Sequence, residues 1–127
     1  MTYPSSDLLD RGRRLWDSLV AQDAQLGEED NPAREIALSA CRTADRLQHL
    51  ETLSLSCEAV IEGRTGVMIH PVYAEVRQQS ALLARLVAAL RLPDTATGKR
   101  PQHRQTRGVQ QPSKVSSLDA ARARAGA

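Results

Sequence analysis

A change of hydrophobic period divides residues 60–90, which read VIEGRTGVMIHPVYAEVRQQSALLARLVAAL. Two short β-branched runs, at 60–61 and 67–69, flank a five-residue connection that holds two glycines. This pattern predicts a β-hairpin. From Pro71 onward the apolar residues instead recur every three or four positions, which predicts a helix. We expect that helix to end near Leu92.

The helix that follows Pro71 carries more apolar surface than a monomer requires. Its large apolar residues fill one broad arc, and a strip of alanines lies on another side. A helix on the surface of a monomer needs only one apolar stripe, and a small fold often buries the remainder by association. We therefore predict contact between subunits through the alanine strip and the hairpin, although loops covering the strip in a monomer remain the alternative. The predicted interface residues are Ala81, Ala84, Ala88, Val60, Ile61, Val67 and Ile69.

Two further helices are predicted upstream of the hairpin. For the first, residues 5–7 (Ser-Ser-Asp) offer a cap, apolar residues from Leu8 to Val20 recur at helical spacing, and Gly27 with the acidic run after it ends the helix. The second begins at Asn31-Pro32, a capping side chain followed by proline at the first helical position. Its apolar stripe consists of Ile36, Ala40, Ala44, Leu47 and Leu50.

Charge separates the chain into a body and a tail. Residues 1–92 hold ten arginines and no lysine against thirteen acids, a net charge of −3, whereas residues 93–127 hold seven basic residues against two acids, a net charge of +5. The tail has few large apolar residues and is predicted to be disordered. Residues 117–125 carry the pattern of a short docking helix, with a serine, an early acid and late arginines. This helix is too short to be stable alone.

These patterns predict a mainly α protein, with a three-helix body at 1–92 and a short β-hairpin between helices two and three. They also indicate no enzyme. The three histidines and two cysteines have no metal-ligand spacing, and we expect neither cofactor nor catalytic residues. No apolar run is long enough for a membrane span and no secretory signal is visible. Two cysteines without paired spacing suggest reduced thiols in a cytosol.

Basic residues are the better functional lead. On the first two helices they are interleaved with Asp10, Asp17 and Asp45, so an ion-paired solvated face is the competing interpretation. In the tail they lie almost free of acids, which favours a polyanion or an acidic partner, although a tail that only adds solubility stays open. The predicted DNA-binding residues are Arg11, Arg13, Arg14, Arg42, Arg46, Lys99, Arg100, Arg104, Arg107 and Lys114.

Three strings, taken in order, resemble small terminase subunits of tailed bacteriophages, of the kind found in phages of actinobacteria. They are residues 12–16 (GRRLW), residues 40–47 (ACRTADRL) with Leu50-Glu51, and the segment from Pro71 to Asp94 with its E-x-R-Q-Q and L-A-R-L elements. The resemblance covers about residues 8–94, two-thirds of the chain. One departure is His70, which precedes the helix-opening proline where the family often has asparagine, a better cap.

The resemblance implies a ring-forming subunit that recognises double-stranded viral DNA and regulates the large terminase subunit, which holds the ATPase and nuclease, in the host bacterial cytoplasm. Docking to that large subunit is assigned to Leu118, Arg122 and Arg124. We expect the short helix at 117–125 to fold on docking to the large subunit or against the ring. The alternative is a phage or bacterial helical adaptor or helix-turn-helix regulator that binds a protein or an operator. A ring of about eight or more subunits would favour the terminase, because DNA-reading regulators are mostly two-fold dimers.

Overall fold

The structure, a computed structural model, describes Pro4 and residues 6–102 and 117–126. Within them lie four α-helices, one 3-10 helix and one β-hairpin, which confirms the mainly α class and the hairpin between helices two and three. The helices are α1 (Asp10–Gln22), α2 (Ala33–Ser56), α3 (Pro71–Ala89) and α4 (Ser117–Ala125), the strands are β1 (Val60–Gly63) and β2 (Gly66–Ile69), and the 3-10 helix is Ala24–Gly27.

The long helix α2 is the centre of the fold, because both α1 and α3 pack against it. Its predicted stripe faces inward: Ala40, Ala44 and Leu47 are buried and the two ends of the stripe are half-buried. The core joins distant parts of the chain, since Leu8 and Trp16 at the start meet Leu90 at the end of α3. Burial of such side chains contributes about 1.5–3 kcal/mol each for the larger ones.

The start of α1 differs from the prediction. The helix begins at Asp10, and its N-cap residue Leu9 offers no side-chain hydrogen bond, so the predicted cap at residues 5–7 is wrong. The buried carboxylate of Asp45, on α2, takes the role instead. Its Oδ2 accepts from the Leu9 amide at 2.8 Å and its Oδ1 from the Gly12 amide at 2.6 Å. Leu9, predicted on the apolar side, is exposed.

The helix α1 also ends earlier than predicted, which lengthens the connection to α2. The helix α1 ends at Gln22 rather than near Gly27, and the Asp23 side chain accepts from the Gln25 amide to open the 3-10 helix. The helix α2 begins at Ala33, one residue later than predicted, so Pro32 is its N-cap residue rather than its first helical residue. Asn31 Oδ1 accepts from the Ala33 amide at 2.9 Å.

The hairpin is tighter than the predicted five-residue connection. Its strands pair from Val60↔Ile69 to Gly63↔Gly66, which leaves a two-residue turn, Arg64-Thr65. Gly66 has a φ of 121°, a conformation that residues with a Cβ avoid. The hairpin leads directly into α3, where His70 Nδ1 accepts from the Val72 amide at 3.1 Å. His70 therefore caps α3 in spite of its departure from the family pattern.

Residues 91–101, here named the strap, fold back on the end of α1. Gln22 Nε2 donates to the Pro93 carbonyl at 3.0 Å, and Arg100 Nη2 donates to Asp23 Oδ2 at 2.7 Å. Arg91 donates through its guanidinium to the Pro101 carbonyl. The strap therefore makes hydrogen bonds with the body where the sequence predicts a flexible tail from residue 93, and residues 103–116 lie outside the described residues. The helix α4 occupies the range 117–125 in which the docking helix is predicted.

Candidate association and nucleic-acid surfaces

Large apolar side chains are exposed mainly at the hairpin end of the molecule. Of the nine large hydrophobic residues that are exposed among the described ones, seven fall between residues 53 and 73. We name this set the apolar end: Leu53, Leu55, Val60, Val67, Met68, Ile69 and Tyr73. Large apolar side chains exposed together in one part of a fold mark an interaction site more often than single scattered ones.

The apolar end is exposed because α1 covers only part of α2. Asp45 contacts the first turn of α1, so α1 begins beside the middle of α2. The face of α2 that packs on α1 continues past that point without a helix over it. Leu55, on this continuation, is 88% exposed. Glu51 and Thr52 line a shallow groove there together with Arg11 of α1.

The hairpin adds an uncovered apolar face of its own. The pairs Val60↔Ile69 and Glu62↔Val67 share one face of the two-stranded sheet. On that face Val60 is 51%, Val67 73% and Ile69 69% exposed. A lone two-stranded hairpin is marginally stable in water, so a partner that covers this face would stabilise it. Ile61, on the opposite face, is half-buried.

The alanine strip of α3 lies on the surface as well. Ala81, Ala84 and Ala88 are all exposed, while Val72 and Leu90 on the other side of the helix are buried. Apart from the half-buried Ile61, the predicted interface residues thus occupy accessible positions on the hairpin and on the outer side of α3. Their contact with a second subunit stays a prediction.

The predicted arginines of α1 and α2 lie near the surface among acids. Arg11 Nη1 pairs with Glu51 Oε2 at 2.7 Å, and Arg42 Nε pairs with Asp7 Oδ2 at 3.0 Å. Both pairs join residues far apart in sequence. The other three arginines have different neighbours. Arg46 Nη1 lies 3.5 Å from the amide oxygen Gln79 Oε1, and Arg14 Nε donates to the backbone carbonyl of Asp10. Arg13 lines a groove with Asp10 and Asp17.

The predicted basic residues of the tail occupy three settings. Lys99 is exposed on the strap, whereas Arg100 is bound to Asp23 and Gln25. Arg104, Arg107 and Lys114 lie outside the described residues. Arg122 and Arg124 are exposed on α4, and Leu118 is part of the same helix. The roles of these residues in DNA binding and docking stay predictions.

The connection between α1 and α2 bears on the alternative of a helix-turn-helix. It spans residues 23–32 and includes the 3-10 helix, whereas the DNA-binding motif joins its helices by a turn of about three or four residues. The pair α1–α2 is therefore a helical hairpin of a different kind.

Sequence reasoning missed two features of these surfaces. Asp45 was interpreted as one acid among surface arginines, yet it is buried and fixes α1 on α2. Its one signal was its place beside the apolar stripe of α2. The second feature is the exposed position of Arg77 and Arg85, two residues of the family strings that share the outer side of α3 with the alanines.

Cys41 is the single group with a strongly perturbed acidity among the described residues. Burial in the core, and secondly the nearby Asp45 carboxylate, raises the pKa of its thiol to about 12.

The described residues contain no group of three or more His, Cys, Asp or Glu placed to hold a metal ion. None of their helices combines the length and hydropathy of a membrane span. Comparisons with protein-family models, curated proteins and solved structures found no match.

Proposed function

We propose that this chain is a self-associating DNA-packaging subunit of the small-terminase type. It binds double-stranded viral DNA as an oligomer and regulates the large subunit, which carries the motor and nuclease. The observation that carries the proposal is the apolar end, because seven large hydrophobic side chains exposed in one region call for a partner surface. The resemblance of residues 8–94 to small terminase subunits supports the proposal that this partner surface belongs to further copies of the same chain.

DNA contact in this proposal is electrostatic and multivalent. The body has a net charge of −3 and the tail +5, so binding runs through local basic patches rather than the whole surface. Several copies of the tail on one duplex act at high effective concentration. Each phosphate that a basic side chain neutralises contributes about 0.9 to the slope of log affinity against log salt. Ordered arginines on α1 and α2 would fix the position of the protein along the DNA groove.

The first test is the subunit number. Native mass spectrometry of the full chain should give a closed oligomer well above a dimer. A monomer at all concentrations would overturn the proposal. A two-fold dimer would favour the adaptor or regulator alternative.

The second test is DNA binding with and without the tail. A chain that ends after residue 102 keeps the strap and its contacts with α1, so it isolates the effect of the remaining tail. Gel shifts on phage and unrelated DNA at two salt concentrations should show weaker binding and a smaller salt slope for the shortened chain. A substitution in α4 alone, Arg122→Ala, serves as the matched control. Absence of DNA binding by the intact oligomer at low salt would contradict the proposal.

A further inference from the structure

The outer side of α3 carries two arginines that no described residue neutralises. Arg77 and Arg85 are exposed, and neither forms an ion pair or hydrogen bond with the described part of the chain. Eight positions separate them, about 12 Å along the helix at 1.5 Å per residue. The exposed alanines 81, 84 and 88 share this side, and we name the whole set the arginine face.

The composition of the arginine face limits what can cover it. Alanines permit close approach of a partner, since they add little bulk between the two arginines. A close partner, however, removes water from both guanidinium groups, which costs free energy unless carboxylates meet them. A protein partner that covers this face must therefore bring acids close to both arginines.

This chain presents such a group at the start of α2. Glu28, Glu29, Asp30 and Glu35 are all exposed, and none of their carboxylates forms an ion pair with a described residue. Backbone hydrogen bonds hold the segment, since the Glu28 amide donates to the Gln25 carbonyl at 3.1 Å and the Asn31 amide to the Glu28 carbonyl at 3.3 Å. We name these four residues the acid corner.

Within the described part of one copy the two surfaces form no ion pair with each other, and no described residue neutralises the charge of either. We propose that the acid corner of one copy docks on the arginine face of the next. This inference rests on the self-association proposed above and assigns its polar contact. Because the two surfaces differ, the contact is head-to-tail, and such contacts close into rings when the rotation between copies permits. The apolar end lies outside this contact and contributes a separate part of the interface.

Charge reversal on one surface at a time gives a complementation test. Variant one carries Arg77→Glu and Arg85→Glu, so both of its surfaces are acidic. Variant two carries Glu28→Arg, Glu29→Arg and Asp30→Arg, which leaves Glu35 as the one acid of that corner, so both of its surfaces are basic. Each variant alone should lose most of its oligomer in native mass spectrometry because like charges meet. An equimolar mixture should reassemble with both variants in each oligomer, since every contact again joins opposite charges.

Two controls distinguish loss of this contact from unfolding and from a general effect of charge. Arg122→Glu on α4 adds negative charge away from both surfaces and should leave the oligomer unchanged, and circular dichroism should show native helix content for every variant. If either variant alone assembles like the wild type, or if the folded variants fail to assemble when mixed, the docking is refuted. Variant one assembling normally while losing DNA affinity would assign the arginine face to DNA instead. A wild type that is itself monomeric would refute the proposed function.

Discussion

At the scale of the residue, Asp45 and Gly12 fix the angle between the first two helices. The carboxylate of Asp45 accepts two amides of α1 while remaining 9% exposed. Hydrogen bonds to an ionised acceptor contribute more than those between neutral groups. Gly12 makes this approach possible, because a Cβ on it would lie 2.3 Å from Asp45 Oδ2 and 2.8 Å from the Cys41 carbonyl. The two residues act as one unit.

Gly12→Ala should therefore destabilise the fold. In an open helix position the change would add about 1 kcal/mol of stability, but here the methyl group overlaps backbone and a bonded carboxylate, and we expect a net loss of about 1–3 kcal/mol. Urea denaturation followed by circular dichroism measures the loss. Gly27→Ala is the control, since its added methyl would lie 3.9 Å from Val20. Equal midpoints for the two variants would contradict the argument.

Cys41 should behave as an unreactive thiol until the fold opens. Its pKa, raised to about 12 by burial, keeps it protonated where an ordinary thiol ionises, and its side chain is 0% exposed. Mass spectrometry after brief alkylation at pH 8 should show one label, on the half-buried Cys57. A second label should require urea.

The same shift in Cys41 has a consequence for stability against pH. The unfolded thiol loses its proton near its ordinary value of 9.0, before the folded one does. The folded state then binds more protons than the unfolded state, so this contribution to stability falls as pH rises from about 9 towards 12. Cys41→Ala should show a weaker fall over that range in urea midpoints. Identical pH profiles would show that the thiol does not titrate in this way.

At the scale of the element, neighbouring residues are sufficient to predict a helix or strand when they supply its capping residue and its hydrophobic periodicity. The hairpin and the start of α3 at Pro71 follow from neighbouring residues, and the structure confirms them. The helix α2 begins one residue after its predicted first position at Pro32. The start of α1 could not be predicted in this way, because its cap comes from a residue 36 positions away. The strap was missed for a related reason: hydrogen bonds to α1, rather than apolar residues of its own, hold it in place.

The strap should lose its attachment when Arg100 is removed. Asp23 is buried, and Arg100 Nη2 lies 2.7 Å from its Oδ2. Arg100→Ala leaves a buried carboxylate without this partner, a change that costs about 1–3 kcal/mol. Amide hydrogen exchange should rise in residues 91–101 and urea midpoints should fall. Lys99→Ala, at the exposed neighbouring position, should change neither; an equal effect of both variants would show that Arg100 does not hold the strap.

At the scale of the whole molecule, the sequence gives the positions of the charged residues but does not predict which of them form ion pairs within the fold. Arg11 and Arg42 belong to the predicted DNA-binding set, yet each meets an acid 35 or more positions away in the fold. Arg77 and Arg85 occur in the family strings without an assigned role, and no described residue neutralises them. Such pairings depend on tertiary distances, which no local pattern encodes.

The apolar end predicts how the whole molecule responds to one added charge. Val67 is 73% exposed in the isolated chain, so Val67→Lys should leave the free energy of unfolding of a monomer nearly unchanged. In an interface the same ammonium group would be desolvated together with the Glu62 carboxylate opposite it, at a net cost in free energy, and the oligomer should dissociate at micromolar concentration. Light scattering measures the change. Thr65→Lys in the turn of the same hairpin is the control, and full assembly of Val67→Lys would place the interface elsewhere.

The meeting of Leu8 with Leu90 also governs how this chain folds as it leaves the ribosome. Leu90 and Leu92 close the core that α1 and α2 begin, so nearly the whole body must be synthesised before that core is sealed. Until then the cluster that holds Trp16, Leu19 and Leu26 lacks two of its apolar members. Contacts between such distant parts of a chain form slowly. We therefore expect the growing polypeptide to gain its resistance to proteases only after the end of α3 has been synthesised.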